Sequence, residues 1–314
     1  VSLVIGHSPV PSLTYSCYTA IVFLLQRDIF PWDLAILLLM ALGIGMFILS
    51  YAWLKRAERR KRLRRLLIGL FGVLGFVGFL LTAYGSFIEP HMLVTTRAAV
   101  AMPLQKPLRI AVISDFHVGL YTGKHDIQRV VERVNAALPD LVLIAGDFIA
   151  TPESDLALLD PLKSLRSSLG TFAVLGNHDM GLYQTLRGKR MVLADRTEAL
   201  RNKLKTMNIT LLENQRRTLR LPEGVLVIAG VDDPWSGKAE VTRTLEGISN
   251  EAAVILLAHN PDVVLDQMSK RANLIVSGHT HGGQFRLPFI GPLAPIPTKL
   301  GPKFDQGIFA IDSD

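Results

Sequence analysis

The sequence predicts an α/β fold in which buried, mostly parallel strands alternate with helices. Five short apolar runs are rich in branched residues, as is typical of strands that are buried on both faces of a sheet. Helical patterns lie near residues 124–137, 154–168, 191–206 and 261–271. Additional strand-like runs lie at 209–213, 216–221 and 225–230. This order of elements indicates an α/β domain with a partly mixed sheet.

Each of the five apolar runs stops at a residue that can bind a metal ion. The runs are Ile110–Ser114, Leu141–Gly146, Phe172–Gly176, Val254–Ala258 and Leu274–Gly278. The residues that follow them are Asp115, Asp147, Asn177, His259 and His279. A single His at the end of a strand is more often structural than a ligand. Because ligands of open α/β sheets bind at the carboxyl ends of the strands, five such endings in one chain predict a single site.

The spacing within two of these motifs adds two further candidate ligands. Side chains alternate along an extended segment, so both members of an Asp-x-His or His-x-His pair point to the same side. The complete set is Asp115, His117, Asp147, Asn177, His259, His279 and His281. These are more ligands than one tetrahedral zinc needs, but they suit two ions that share the carboxylate of Asp147. Imidazole and oxygen donors without a thiolate favour Zn, Fe or Mn.

In their order along the chain, these motifs resemble those of the calcineurin-like metallophosphoesterases. The matching segments are Asp115-Phe-His117, Gly146-Asp147, Gly176-Asn-His-Asp179, the lone His259, and Gly278-His-Thr-His281. The resemblance covers residues 108–314. It is closest to a membrane-tethered bacterial branch that includes phosphodiesterases and hydrolases of UDP-2,3-diacylglucosamine.

The resemblance implies a fold, a metal content and a role for each matching residue. It implies a four-layer α-β-β-α sandwich that holds two divalent cations. The first cation would bind Asp115, His117, Asp147 and His281, and the second would bind Asp147, Asn177, His259 and His279. His178 would protonate the leaving oxygen while Asp179 orients it, and Asn260 would contact the phosphate. The alternative for His178 is a purely supporting role beside the ligands.

The segment before this domain predicts a membrane hairpin. Leu34–Leu54 and Leu66–Ile88 carry no charge, and each is long enough to cross about 30 Å of hydrocarbon. The loop at 55–65 between them holds eight Lys and Arg residues and one acid. Such a basic loop is retained in the cytoplasm, so the second span is expected to lead the catalytic domain out of it. We therefore expect a multi-pass protein of the bacterial inner membrane.

The predicted organisation of the whole chain follows from these boundaries. It comprises an N-terminal segment at 1–33, the hairpin at 34–88, a connector at 89–107 and the metallophosphoesterase domain at 108–314. Within the first segment, Ser8–Gln26 is a weaker candidate span because it contains two prolines. A strand-like run at 307–311 precedes the last residue, and relatives in the resembling family continue with a further strand and loop. The domain is therefore expected to be incomplete at its C-terminus.

Charge distribution excludes one class of function. Residues 1–88 hold nine Lys and Arg residues against three acids, whereas the rest of the chain is nearly neutral, with 25 basic and 24 acidic residues. A nucleic-acid-binding domain would carry the basic charge itself, so no nucleic-acid partner is expected. Membrane lipids, including anionic head groups at the basic loop, are the expected surroundings.

These observations predict a membrane-anchored phosphoesterase with two cations that activate water and clamp a phosphoester. A phosphodiester or pyrophosphate bond of a lipid-linked substrate is the leading expectation, and a soluble or envelope-polymer diester is the alternative. A non-catalytic module in which metals merely hold loops is the alternative from a different class. The apolar, Pro-rich segment 284–303 is either a stiff surface loop or a wall of the substrate cleft.

Overall fold

The computed structural model describes most of the chain in two compact units. The described residues are 2–6, 30–58, 61–119, 121–184, 190–222, 224–283, 286–287, 290–292 and 295–310. One unit is Pro9–Met92, and the other joins Leu93–Asp314 with Val1–Ser8. The candidate span Ser8–Gln26 lies outside the described residues, as does part of segment 284–303.

The larger unit contains a six-stranded sheet that is parallel except at one edge. Its strands are β1 (Ser2–Gly6), β2 (Thr95–Ala99), β3 (Arg109–Ile113), β4 (Leu141–Ala145), β5 (Thr171–Val174) and β8 (Ile209–Leu211). Their spatial order is β2-β1-β3-β4-β5-β8, and only β1 and β2 pair antiparallel. Between β5 and β8 the chain forms a small antiparallel hairpin of β6 (Leu182–Gln184) and β7 (Arg190–Val192).

A second, four-stranded sheet follows in the sequence. Its strands are β9 (Gln215–Leu221), β10 (Gly224–Gly230), β11 (Ala253–Leu257) and β12 (Leu274–Val276). They lie in the order β12-β11-β10-β9, with β9 antiparallel to β10 and the remaining pairs parallel. A short antiparallel pair of β13 (Arg286–Leu287) and β14 (Gly291–Pro292) comes after it. The strand-like segment at 307–311 forms no strand over its described residues 307–310.

Side-chain alternation along the strands builds the layers of the sandwich. In β3, Ile110 and Val112 point into a core that β10, β11 and β12 line from the opposite side, so this core lies between the two sheets. Ala111 and Ile113 point the other way, into a core shared with the helices of the first sheet. A third core covers the outer face of the second sheet. The predicted α-β-β-α order is therefore confirmed.

The helices that the sequence predicts in this unit are shorter than their patterns, and one further helix forms at Val241–Leu245. The regular α-helices are α3 (Lys124–Ala136), α4 (Thr197–Thr206) and α5 (Val241–Leu245). The predicted helix at 154–168 is a 3₁₀ helix at Leu156–Ser164, which contains Pro161. The pattern at 261–271 divides into 3₁₀ turns at Pro261–Leu265 and Gln267–Arg271. Asp266 ends the first turn and accepts a hydrogen bond from the Met268 amide, 2.9 Å away, which begins the second.

The smaller unit is a helical hairpin with an apolar exterior. Its helices are α1 (Phe30–Arg56) and α2 (Arg62–Phe87), which include both predicted spans except for Ile88 at the end of the second. Both are long and apolar enough to cross a membrane. Their large apolar side chains are exposed, for example Leu38 at 59% and Leu66 at 68%. Water-exposed apolar surface of this extent marks an interaction surface, and a lipid bilayer satisfies it.

Candidate metal centre

The carboxyl ends of five strands meet at the seam between the two sheets. Strands β3, β4 and β5 of the first sheet lead to Asp115, Asp147 and Asn177, and β11 and β12 of the second lead to His259 and His279. Three of the five motifs therefore follow strands of the first sheet and two follow strands of the second, as the predicted α-β-β-α sandwich allows. The sheets are joined directly here, because the His279 amide donates to Asp115 Oδ1 at 3.1 Å.

The backbone at these strand ends is turned sharply into the site. Eight non-glycine residues of the described chain have a positive φ, and five of them are candidate ligands. The five are Asp115 (54°), His117 (45°), Asp147 (53°), His279 (71°) and His281 (51°). The left-handed region costs an L-residue about 1–2 kcal/mol, so it is occupied where the surrounding structure enforces it. Such clustering is typical of functional sites.

Four of the candidate ligands form a first cluster at the surface of the domain. Ligand atoms of Asp115, His117, Asp147 and His281 all lie within 4.8 Å of one another. Nε2 of His117 lies 3.1 Å from Nε2 of His281 and 3.5 Å from Oδ2 of Asp147. The side chain of His281 is 36% exposed. This cluster is therefore open to solvent and to a substrate.

A second, buried cluster shares Asp147 with the first. Ligand atoms of Asp147, His259 and His279 also lie within 4.8 Å of one another. Nε2 of His259 is 3.1 Å from Oδ2 of Asp147, from Oδ1 of Asn177 and from Nδ1 of His279. His259 is completely buried. The structure thus brings all seven predicted ligands together in two groups around one carboxylate.

Backbone carbonyls fix which atom of each buried ligand faces the cluster. Nδ1 of His259 donates to Ala145 O at 2.7 Å, and Nε2 of His279 donates to Pro297 O at 2.9 Å. A carbonyl can only accept, so each of these nitrogens carries a hydrogen and the opposite nitrogen points inward. The amide of Asn177 donates to Leu182 O at 2.7 Å, which turns its Oδ1 inward in the same way.

This donor set fits divalent cations. Inward-facing nitrogen lone pairs only 3.1 Å apart repel each other unless a proton or a cation lies between them. Imidazole nitrogens held by carbonyls, together with carboxylate and amide oxygens, are the ligands of Zn, Fe and Mn. The shared carboxylate of Asp147 allows two cations to lie side by side. We therefore take the two clusters as a candidate dinuclear metal site.

The electrostatics of the ligand side chains favour a proton between Asp147 and His259, where the second cation would bind. Burial alone would raise the pKa of Asp147, but the neighbouring His259 and His178 lower it well below its usual range. Burial opposes protonation of His259, yet the charge and hydrogen bond of Asp147 raise its pKa well above 6.5. Burial and His259 lower the pKa of His279 to about 3. Burial and His178 lower that of His117.

His178 lies beside the clusters without belonging to either. Its amide donates to Oδ1 of Asp147 at 2.9 Å, and its Nδ1 donates to Ala150 O at 2.8 Å. Its ring meets the His117 ring edge-on, with centroids 4.5 Å apart. It also meets the Tyr183 ring, 4.4 Å away. The ring is thus fixed through Nδ1, and Nε2 remains as the nitrogen that can transfer a proton.

Asp179 does not make the contact with His178 that its expected orienting role requires. Its two oxygens accept hydrogen bonds from the backbone amides of Phe148, Ile149 and Gly176, at 2.8, 3.2 and 2.9 Å. Burial and the nearby Asp147 raise its pKa to about 8. Asp179 therefore ties the loop after β4 to the loop after β5, and Ala150 O is the group that orients His178.

Asn260, expected at the phosphate, is fully buried in the structure. Its Oδ1 accepts from the Asp262 amide at 2.8 Å and begins the 3₁₀ turn that follows. Its Nδ2 has no hydrogen-bond partner within the described residues. A direct contact between Asn260 and a phosphate remains a prediction.

Two residues beside the second cluster were not predicted from the sequence. The Trp235 ring meets the His279 ring edge-on, with centroids 4.7 Å apart. Asp233 is fully buried, and this burial raises its pKa to about 6. Both follow β10 in the segment Asp232-Asp-Pro-Trp235, as the ligand motifs follow their own strands. The same rule of polar residues at strand ends could have identified them.

Comparisons with known proteins agree with this site. The family model described as calcineurin-like phosphoesterase matches residues 108–283, a span that includes all seven candidate ligands. The uncharacterized metallophosphoesterase YkuE of Bacillus subtilis is 32% identical over 238 residues, covering 73% of this chain and 78% of that protein.

Two further relatives have names that describe an activity. Phosphodiesterase YaeI of Escherichia coli is 29% identical, covering 69% of this chain and 77% of its own. UDP-2,3-diacylglucosamine pyrophosphatase LpxG of Chlamydia muridarum is 27% identical, covering 74% of this chain and 83% of its own.

Proposed function

Because the chain belongs to the calcineurin-like phosphoesterase family, we propose that it is a membrane-anchored hydrolase of phosphodiester or pyrophosphate bonds. The observation that carries the proposal is the pair of donor clusters that share Asp147 at the seam of the two sheets. One cluster is open at His281 while the other is buried at His259. A substrate phosphate therefore has access to the first cluster and is backed by the second.

The seven ligands divide between two cations of Mn, Zn or Fe. We assign Asp115, His117, Asp147 and His281 to the first, and Asp147, Asn177, His259 and His279 to the second. When bound, such ions polarise phosphoryl oxygens and activate water. The protein holds them through ligand side chains whose orientation is set by backbone carbonyls, so the site needs little rearrangement when substrate arrives.

His178 is the proposed general acid. Water loses one proton to the solvent and attacks the phosphorus, and the bond to the leaving oxygen breaks. His178, in its doubly protonated form, gives that oxygen a proton from Nε2 and becomes neutral. The hydrogen bond from Nδ1 to Ala150 O holds the ring in place during the transfer. Asp179 supports this arrangement indirectly, because it ties together the loops that carry Asp147 and His178.

A lipid-linked substrate is the class that we favour. The two apolar helices would keep the enzyme at a bilayer, where lipid-linked phosphates are concentrated. The relative LpxG is named for the pyrophosphate of UDP-2,3-diacylglucosamine, which carries acyl chains. A soluble or envelope-polymer diester is the alternative substrate, and the experiment below separates the two.

The test is a hydrolysis screen of the detergent-solubilised, full-length protein. A simple aryl diester, a monoester and UDP-2,3-diacylglucosamine would be offered with Mn²⁺, Zn²⁺ or Fe²⁺, before and after treatment with a chelator. We expect cleavage of a diester or pyrophosphate bond that is lost on metal removal and restored by one of the ions. Full turnover by protein shown to be metal-free by elemental analysis would contradict the proposal.

A further inference from the structure

The β6–β7 hairpin contacts the proposed acid His178 and also Trp235, which lies beside the second cluster. On β6, the Tyr183 hydroxyl donates to Ala150 O at 3.2 Å, the same carbonyl that orients His178. On β7, the guanidinium carbon of Arg190 lies 5.1 Å from the centre of the Trp235 ring. The hairpin thus contacts the site at two points, one beside His178 and the other beside the second cluster.

Arg190 carries a charge that the protein itself does not neutralise. It is exposed, and no carboxylate pairs with it among the described residues. Trp235 connects it to the metal site, because the Trp235 ring also contacts the ring of His279 at 4.7 Å. These two contacts in series place the guanidinium within about 10 Å of His279.

This position suits a substrate group next to the reacting phosphorus. In the proposed function the two cations at the seven ligands bind the reacting phosphoryl group, so that group does not require the Arg190 guanidinium. An unpaired guanidinium binds phosphate oxygens through paired N–H donors, so a second phosphate is the group that it fits best. We propose that Arg190, positioned by Trp235, binds the second phosphate of a diphosphate-linked substrate. This inference rests on the proposed function and narrows it from phosphoesters in general to pyrophosphate bonds.

The experiment compares two uridine substrates that differ in their number of phosphates. One is UDP-2,3-diacylglucosamine, and the other is uridine 5′-(4-nitrophenyl phosphate), a diester with a single phosphorus. For Arg190→Gln we expect kcat/KM to fall about 10- to 100-fold on the diphosphate and to change little on the diester. Trp235→Ala should shift the diphosphate-to-diester ratio of kcat/KM in the same direction, and in the double variant this ratio should equal that of the Arg190 variant.

Controls separate this inference from the proposed function. Arg220→Gln, on the exposed face of β9, should leave both substrates unaffected. Equal losses on both substrates, or a wild-type enzyme that cleaves only the diester, would overturn the role of Arg190 while leaving the phosphoesterase intact. Failure of the wild type on both substrates would instead contradict the proposed function.

An independent observation concerns the loop that holds His279. The carbonyl of Pro297 accepts the hydrogen bond of His279 Nε2 at 2.9 Å. The next two residues are anchored to a buried carboxylate, because Thr298 Oγ1 and the Lys299 amide donate to Asp262 Oδ1 at 2.6 and 2.8 Å. A continuous chain of contacts therefore links the carboxylate of Asp262 to the candidate ligand His279.

We infer that Asp262 is a positioning residue for the second cation. It fixes the loop, the loop carbonyl fixes the His279 ring, and the ring presents Nδ1 to the cluster. Groups that orient a metal ligand in this way contribute about 10- to 100-fold to metal affinity. This inference requires only that the second cluster binds a cation, whatever the substrate.

The test is a titration of metal-free protein with Zn²⁺ or Mn²⁺ in a calorimeter. Asp262→Ala and Thr298→Val should weaken the buried site about tenfold or more, while Asp262→Asn keeps Oδ1 as an acceptor and should restore most of the affinity. Asp266→Ala is the matched control, since Asp266 caps the neighbouring 3₁₀ turn but makes no contact with this loop in the described structure. Unchanged affinity in a folded Thr298→Val variant would overturn the inference.

Discussion

At the scale of single residues, five of the seven candidate ligands have a left-handed backbone conformation that is unfavourable for L-amino acids. His117 has a φ of 45°, and like Asp115, Asp147, His279 and His281 it lies in the left-handed region. The hydrogen bond from its amide to Asp147 O, at 3.0 Å, belongs to the tight pairing of the loops after β3 and β4. Folding therefore enforces a strained backbone that directs the imidazole to the site.

This strain predicts an unusual order of stability in the metal-free protein. His117→Gly should be more stable than His117→Ala by about 1 kcal/mol, because glycine adopts a positive φ without steric cost. At His125, an exposed position in α3, the order should be reversed, since glycine weakens a helix by about 1 kcal/mol. Urea unfolding of the solubilised variants measures both differences. If His117→Gly is less stable than His117→Ala, the positive φ of His117 does not strain the backbone.

His178 allows binding and chemistry to be separated. Because it contacts the clusters without being one of the seven ligands, His178→Ala should retain both metals. Its kcat should fall by about 10²–10⁴-fold for poor leaving groups, which need a proton, and much less for nitrophenolate. Metal content and kcat would be measured on both types of substrate. Equal losses on the two would remove the general-acid role and leave His178 with a supporting one.

Acid should empty the two cation sites in a fixed order. Asp147 raises the pKa of His259, so His259 stays protonated to a higher pH than an ordinary histidine. A cation at the buried site must displace this proton. In the open site the pKa of His117 is lowered, and its imidazole is already neutral. The buried site should therefore lose its ion first as pH falls.

This order can be measured by metal analysis of two variants after dialysis at a series of pH values. His281→Ala should lose the ion of the open site and keep that of the buried site. Asn177→Ala should hold the ion of the open site more strongly than that of the buried site. We expect half-release at a higher pH in His281→Ala. A higher midpoint in Asn177→Ala would mean that His259 does not hold the competing proton.

At the scale of elements, the sequence predicts strands and their endings better than it predicts what surrounds them. All five strands that carry ligands form, because a run of branched apolar residues has few alternatives once it is buried on both faces. The division of these strands between two sheets depends on long-range pairing, which a local pattern does not contain. The left-handed ligand conformations and the Trp235–His279 contact likewise arise only when loops from different strands meet.

Helices of this domain were harder to predict than strands. The pattern at 154–168 was expected to form a helix, but Pro161 removes a hydrogen-bond donor, and 3₁₀ structure results. At 261–271, Asn260 and Asp266 each cap a new short turn with a side-chain oxygen, which divides one expected helix into two. Side-chain capping competes with helix continuation and is not seen in hydrophobic periodicity.

The hairpin of α1 and α2 depends on glycines at the contact between its helices. A Cβ at Gly43 would collide with the backbone of Gly75, and a Cβ at Gly75 would collide with Met46. The hydroxyl of Ser50 donates to Ile68 O at 2.5 Å across the same contact. Small residues of this kind let helices approach closely where no water drives them together.

Substitution of these glycines should loosen the hairpin. Gly43→Val and Gly75→Val should each destabilise it by about 1–3 kcal/mol through overpacking. Gly45→Val and Gly78→Val are matched controls. A Cβ at either position would have no atom within 4 Å apart from its chain neighbours and the backbone of its own helix. Thermal unfolding in detergent would compare the four variants. Equal melting temperatures in all of them would mean that the helices do not pack through Gly43 and Gly75.

At the scale of the whole molecule, the excess basic charge lies almost entirely in residues 1–88. Eight basic residues lie at 55–65, which comprises the end of α1, the beginning of α2 and the residues between them. In the first turn of α2, Arg65 donates to Leu54 O and Ala57 O at 3.1 Å and so caps the end of α1. The catalytic unit is nearly neutral and has its own three cores. The apolar helices and the candidate metal site therefore belong to separate parts of one chain.

The same charge distribution predicts which side of the membrane carries the catalytic domain. The loop at 55–65 holds eight basic residues and one acid between two charge-free spans, so it should stay in the cytoplasm and place residues 89–314 outside. A reporter that fluoresces only in the cytoplasm, fused after Asp314, should remain dark. Replacing most of the eight Lys and Arg residues with Gln should produce a mixed population, because the orientation depends on the charge bias itself. A bright wild-type fusion would show that the catalytic domain lies in the cytoplasm and that the predicted orientation is wrong. The favoured substrates would then be cytoplasmic lipid precursors such as UDP-2,3-diacylglucosamine.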